Sequence, residues 1–100
     1  MRALSAAALL ACLAAGTAQA ADPNLGRNLA ATCANCHGTN GKAVAGSGMS
    51  SLAGENKANL LQKLSEFRTG ARPSSIMEQI AKGYSEAQLA LIADYFAAQK

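Results

Sequence analysis

Beyond its first twenty residues the chain spaces its apolar side chains at the helical period in four places and alternates them like a strand in none. Asp22-Pro23 reads as an N-cap followed by proline at the first helical position. It opens a helix that carries Leu25 and Leu29 one turn apart and runs toward Cys33. From Asn56 to Thr69, Leu60, Leu61, Leu64 and Phe67 fall at i, i+1, i+4 and i+7, one apolar face brought to an end by Gly70 and Pro73. "SSIMEQIAKG" opens with Ser75 and Glu78 in capping-box spacing and predicts a short helix with Ile76 and Ile80 one turn apart, closed by Gly83. Ser85 and Gln88 repeat the box and start a last helix through Leu89, Ile92, Ala93 and Phe96. Between the first two helices, Thr39 to Gly54 is Gly, Ser, Ala and Asn with neither period. The pattern predicts an all-α domain whose long loop has few ways to pack on itself, as loops that wrap a ligand do.

The first twenty residues change the picture. Met1-Arg2 is a minimal positive start, Ala3 to Ala15 is almost entirely Ala and Leu, and Ala18-Gln19-Ala20 has the small-x-small pattern. This predicts a secretory signal over 1–20, cleaved near Ala20-Ala21, leaving a domain at 21–100. A membrane anchor needs about 20 apolar residues, more than this run holds, so no membrane insertion is expected after cleavage. Cys12 leaves with the signal; a lipoprotein cleavage there would want a small residue where Leu10 stands. The expected location is the periplasm, an oxidising compartment.

Export leaves Cys33 and Cys36 as the domain's cysteines, and a bridge between them would close too small a loop to staple an 80-residue domain. Eight Lys and Arg (the chain's nine less Arg2) stand against six acids, without a basic run or aromatic-basic interleaving, so nucleic acid is not a predicted partner. Only Phe67, Tyr84, Tyr95 and Phe96 bring aromatic bulk to the core. Four short helices around a long loop, unstapled, are marginal at this size. Something large and apolar is missing from the amino-acid inventory.

"CANCH", Cys33 to His37, supplies the means of holding it. Zinc wants more ligands than the domain has, since Cys33, Cys36 and His37 are its only cysteines and histidine. A redox dithiol would open a helix after a strand, whereas here a helix precedes the motif and a glycine-rich loop follows. Cys-x-x-Cys-His fits covalent haem c attachment. Two thiols reach the two vinyl groups of one porphyrin, and the following imidazole is held beneath the iron. The haem then also completes the core.

The opposite face of the iron calls for a second ligand, and Met is typical of c-type cytochromes. Met49 lies twelve residues after His37 in the glycine-rich loop, a short path for reaching the other side. Met77 lies forty residues on, beyond a full helix and between Pro73 and Gly83. Chain geometry favours Met77 and leaves Met49, with Ala34 and the 43–51 loop, for the rim of the pocket. Arg68, Arg72 and Lys82 are candidates for the haem propionates and equally read as solvated surface charges.

These features resemble those of small class I cytochromes c over the whole of 21–100: a Gly26-containing helix before "CANCHG", "LAGENKANLLQKLSEFRTGARP", "IMEQIAKGYSEAQLALIADYF", and Tyr95-Phe96 in the closing helix. Within that class the chain is similar to the cytochrome c4/c553-like branch, and most to the haem subunit of flavocytochrome c sulfide dehydrogenase. The resemblance implies about four short helices around one covalent haem c, with thioethers at Cys33 and Cys36 and iron between His37 and Met77. It implies Leu52 packed on the haem, and Gly26 allowing the last helix to cross closely, against Tyr95 and Phe96. Many relatives carry proline where this chain has Ser50, and its carbonyl orients the proximal imidazole; here the bond can persist on a less rigid loop. The implied function is single-electron transfer, not catalysis. The expected role is electron-accepting subunit to a periplasmic flavoprotein that oxidises sulfide, the alternative a freestanding shuttle to a terminal oxidase or peroxidase.

Overall fold

A computed structural model describes residues 22–100, so the predicted signal at 1–20 lies outside the described residues. Four α-helices follow in chain order, α1 (Leu25–His37), α2 (Lys57–Thr69), α3 (Ser75–Lys82) and α4 (Glu86–Ala97), with a 3₁₀ turn at Thr39–Gly41 after α1. No strand occurs among the described residues. This is the all-α arrangement the apolar spacing predicts.

Two helix starts differ from the reading of the sequence. Asp22 does not cap α1: its carboxylate accepts the Asn24 N–H at 2.8 Å and its carbonyl the Leu25 N–H at 3.2 Å. Asp22-Pro23 therefore makes a turn, and the helix begins at Leu25. At α3 the cap is Ser74, extended at φ −171° and ψ 120°, whose hydroxyl accepts the Met77 N–H. Ser75 is already helical, so Glu78 closes no box and instead pairs with Lys82 at 2.6 Å. The other two starts follow prediction. Asn56 caps α2 by accepting the Asn59 N–H, Gly70 ends it in the left-handed conformation, and Ser85 with Gln88 forms a complete capping box on α4.

The core is small and centred on α4. Leu89, Ile92, Ala93 and Phe96 of that helix are buried together with Ala30 of α1 and Leu60 of α2. The helix is thus sandwiched between α1 and α2, while α3 packs against α2. Where α1 meets α4, a Cβ on Gly26 would lie 3.1 Å from the Leu91 carbonyl oxygen and 3.6 Å from Tyr95 Cβ. The close crossing expected of Gly26 is present, against Leu91 and Tyr95. Tyr84, at the α3–α4 joint, donates its hydroxyl to the Leu29 carbonyl at 3.2 Å and ties that joint to α1.

Candidate functional site

A gap of about 230 Å³ separates the end of α1 from α2 and α3, with α4 as its floor. A water occupies roughly 30 Å³, so the gap is far larger than a packing defect in a close-packed interior. Cys33 and His37 line it from α1, Ser50, Leu52 and Glu55 from the loop, and Leu60, Lys63, Leu64 and Phe67 from α2. Arg72 and Met77 complete the far side, and Ile92, Ala93 and Phe96 the floor. Folding thereby brings Met77, from α3, to the same cleft as His37.

Each functional side chain is placed by its element. Cys33 and Cys36 are free thiols one turn apart at the end of α1; Cys33 faces the cleft half-buried, and Cys36 is exposed beside it and is not part of the lining. Burial pushes the Cys33 thiol above its ordinary value, with a backbone hydrogen bond acting the other way. A reactive dithiol needs the reverse, a thiolate at the start of a helix. Nor do three Cys, His, Asp or Glu side chains group around a common point among the described residues.

His37 closes α1, and its Nδ1 lies 2.7 Å from the Ser50 carbonyl oxygen. A carbonyl only accepts, so Nδ1 is the donor in this contact, and in the neutral ring that leaves Nε2 as the nitrogen able to ligate. That is the tautomer of a metal-ligating imidazole with its outer nitrogen engaged. The bond to the backbone carbonyl at position 50 is thus present with serine there. Leu52 lines the cleft as expected, whereas Met49 is 41% exposed outside the lining. Ala34 sits on a different face of α1, in a depression shared with Arg27 and Asn40, and does not rim the cleft.

Of the three cations weighed for the propionates, only Arg72 reaches the cleft. Arg68 donates to the Tyr84 carbonyl at 3.0 Å, and Lys82 is engaged by Glu78. Lys63 lines the cleft instead, held by Glu55 at 2.6 Å. Its position was readable: it falls three residues after Leu60 and one before Leu64, on the α2 stripe that faces inward. Glu55 precedes the helix and carries no such signal.

The residues present fit haem c. The walls are mainly apolar, and the cleft is lined by the Cys33 thiol, the His37 imidazole and the Met77 thioether. The partly exposed charges are already paired, Lys63 with Glu55 and Arg72 with Glu66.

The cytochrome c family profile matches residues 23–100. The chain is 38% identical to the cytochrome subunit of sulfide dehydrogenase of Chlorobaculum tepidum, over 71% of this chain and 63% of that protein. It is 37% identical to a thiosulfate dehydrogenase electron acceptor of Stutzerimonas stutzeri, over 87% of this chain and 43% of that protein. It is also 37% identical to cytochrome c4 of Pseudomonas aeruginosa, over 85% of this chain and 42% of that protein. The chain thus spans from about two fifths to about three fifths of the length of these relatives. The match over nearly every described residue, on a helical fold whose cleft suits the cofactor, places the chain in the cytochrome c family, as an electron carrier with covalently bound haem c.

Proposed function

We propose that this chain is an exported, periplasmic, single-haem carrier in which Cys33 and Cys36 form the thioethers and His37 and Met77 are the axial iron ligands. The observation that carries this reading is the single cleft that gathers Cys33, His37 and Met77 between apolar walls. When bound, haem c supplies a one-electron ferric/ferrous couple. The two cysteines retain the group permanently. His37 presents Nε2 because Ser50 holds Nδ1, and Met77 offers a soft thioether that favours the reduced state. Leu60, Leu64, Phe67 and Phe96 exclude water, while Arg72 and Lys63 are the cations in reach of the propionates.

With His37 and Met77 both holding the iron, the protein would leave it no free position for a substrate. Met77→Ala is therefore expected to abolish the methionine–iron charge-transfer band, lower the reduction potential and admit carbon monoxide to the ferrous protein. Met49→Ala should do none of these. The opposite outcome would move the ligand to Met49. Amino-terminal sequencing of the exported protein should begin at Ala21, and no described helix is long and apolar enough to cross a membrane.

As to partner, the likeness to a cytochrome subunit of sulfide dehydrogenase supports the role of haem subunit accepting electrons from a sulfide-oxidising flavoprotein. Purified from native periplasm, the protein should bring a flavin subunit with it, and its haem should reduce on adding sulfide. A monomer inert to the sulfide-reduced flavoprotein would leave the second reading, a freestanding shuttle to an oxidase or peroxidase, which the likeness to cytochrome c4 supports.

A further inference from the structure

The orienting bond to His37 comes from a residue with little else to hold it. Ser50 is exposed, and the loop before it is open: a Cβ added at Gly46 or Gly48 would meet nothing within 4 Å. The chain after it is anchored. The Gly41 carbonyl accepts the Ser51 hydroxyl at 2.9 Å, the Leu52 N–H at 2.7 Å and the Ala53 N–H at 3.1 Å. Ser51 Oγ also accepts the Ala43 N–H at 3.4 Å. Gly41 itself is a fixed point. It is buried, its φ is +77°, and a Cβ there would stand 2.7 Å from the Phe96 ring and 3.0 Å from Leu52 Cβ.

The Ser50 carbonyl and the Ser51 nitrogen belong to one rigid peptide plane. Whatever fixes Ser51 therefore fixes the direction of the Ser50 carbonyl. We propose that Ser51 is a positioning residue for the proximal ligand: its hydroxyl, clamped on the Gly41 carbonyl, aims the Ser50 carbonyl at His37 Nδ1. In this chain the side-chain clamp supplies the stiffness that a ring at position 50 would give. The proposal rests on His37 being the iron ligand. Through the Nδ1–H bond the clamp raises the basicity of the imidazole and so favours the oxidised state; its loss raises the potential.

The test uses the haem-loaded protein and two readouts, the reduction potential and the deuterium exchange rate of the His37 Nδ1 proton followed by NMR. Ser51→Ala is expected to speed that exchange by roughly fivefold to tenfold, the population effect of one lost hydrogen bond, and to raise the potential. Ser51→Thr should restore both readouts. Ser51→Val and Ser51→Thr, equal in shape and different in the hydroxyl, give the same contrast should the alanine variant not accumulate. Exchange and potential unchanged in both Ser51→Ala and Ser51→Val would overturn the clamp. A wild type with no hyperfine-shifted His37 signal would overturn the ligand reading, a result distinct from an intact signal indifferent to Ser51.

Discussion

Glu66 takes hydrogen bonds from Gln62 Nε2 at 3.0 Å and from Arg72 Nε at 2.8 Å, and the Arg72 guanidinium adds a second contact at 2.7 Å. The Gln62 bond first, and then Arg72, hold its carboxyl below the usual range. A carboxyl lowered on folding lends stability above its unfolded value, and that stability is lost as pH falls through the folded one. Glu66→Gln should therefore melt earlier than wild type at neutral pH. The two thermal transitions should converge in acid, once the native carboxyl is also protonated. This residue also shows what the sequence concealed. Arg72 is recognisable as a candidate for the cleft, but its engagement by Glu66 depends on the turn that carries the chain back past α2. Cys33, Cys36 and His37 declare themselves because their chemistry is local, compressed into five residues. Ser51 does not: its partner lies ten residues upstream at a backbone carbonyl, and one serine among several in a polar loop has no distinguishing pattern.

At the scale of elements, the helix ends locate the chemistry. The Ser85 box starts α4 one turn before Leu89, so that Leu89, Ile92, Ala93 and Phe96 all turn inward. Ser85→Ala is expected to cost about 1 kcal/mol, or about 4–8 °C in melting temperature, without moving the haem spectrum; circular dichroism and absorbance together check both halves. The apolar faces of α2 and α4 were legible because Leu and Phe repeat at the helical period over three turns. The starts of α1 and α3 were less so, because each offers competing caps. Ser74 and Ser75 are chemically equal, and the extended backbone that Ser74 adopts after Pro73 decides between them. Asp22 is a good cap in composition, but it spends its carboxylate on the turn before the helix. Neither slip moves Met77 off the cleft, since α3 is placed by its packing against α2.

At the scale of the whole molecule, the main buried cluster among the described residues is six side chains, four of them on α4, and two of the six are alanines. So lean a centre matches the shortage of apolar bulk in the sequence. Removing a large member should be severe: Phe96→Ala is expected to cost roughly 3–5 kcal/mol, a large share of the ~5–15 kcal/mol total of an ordinary domain. Denaturant melts of the haem-loaded variant measure it. The two sides of α4 carry one last consequence. Ile92, Ala93 and Phe96 line the cleft, while Leu91, Asp94 and Tyr95, on the reverse side, meet the segment from Asp22 to Arg27. Residue 22 therefore stands behind the molecule with respect to its redox centre. A molecule wired to an electrode at position 22 would turn the cleft outward, leaving it free for a protein in solution to exchange electrons with it.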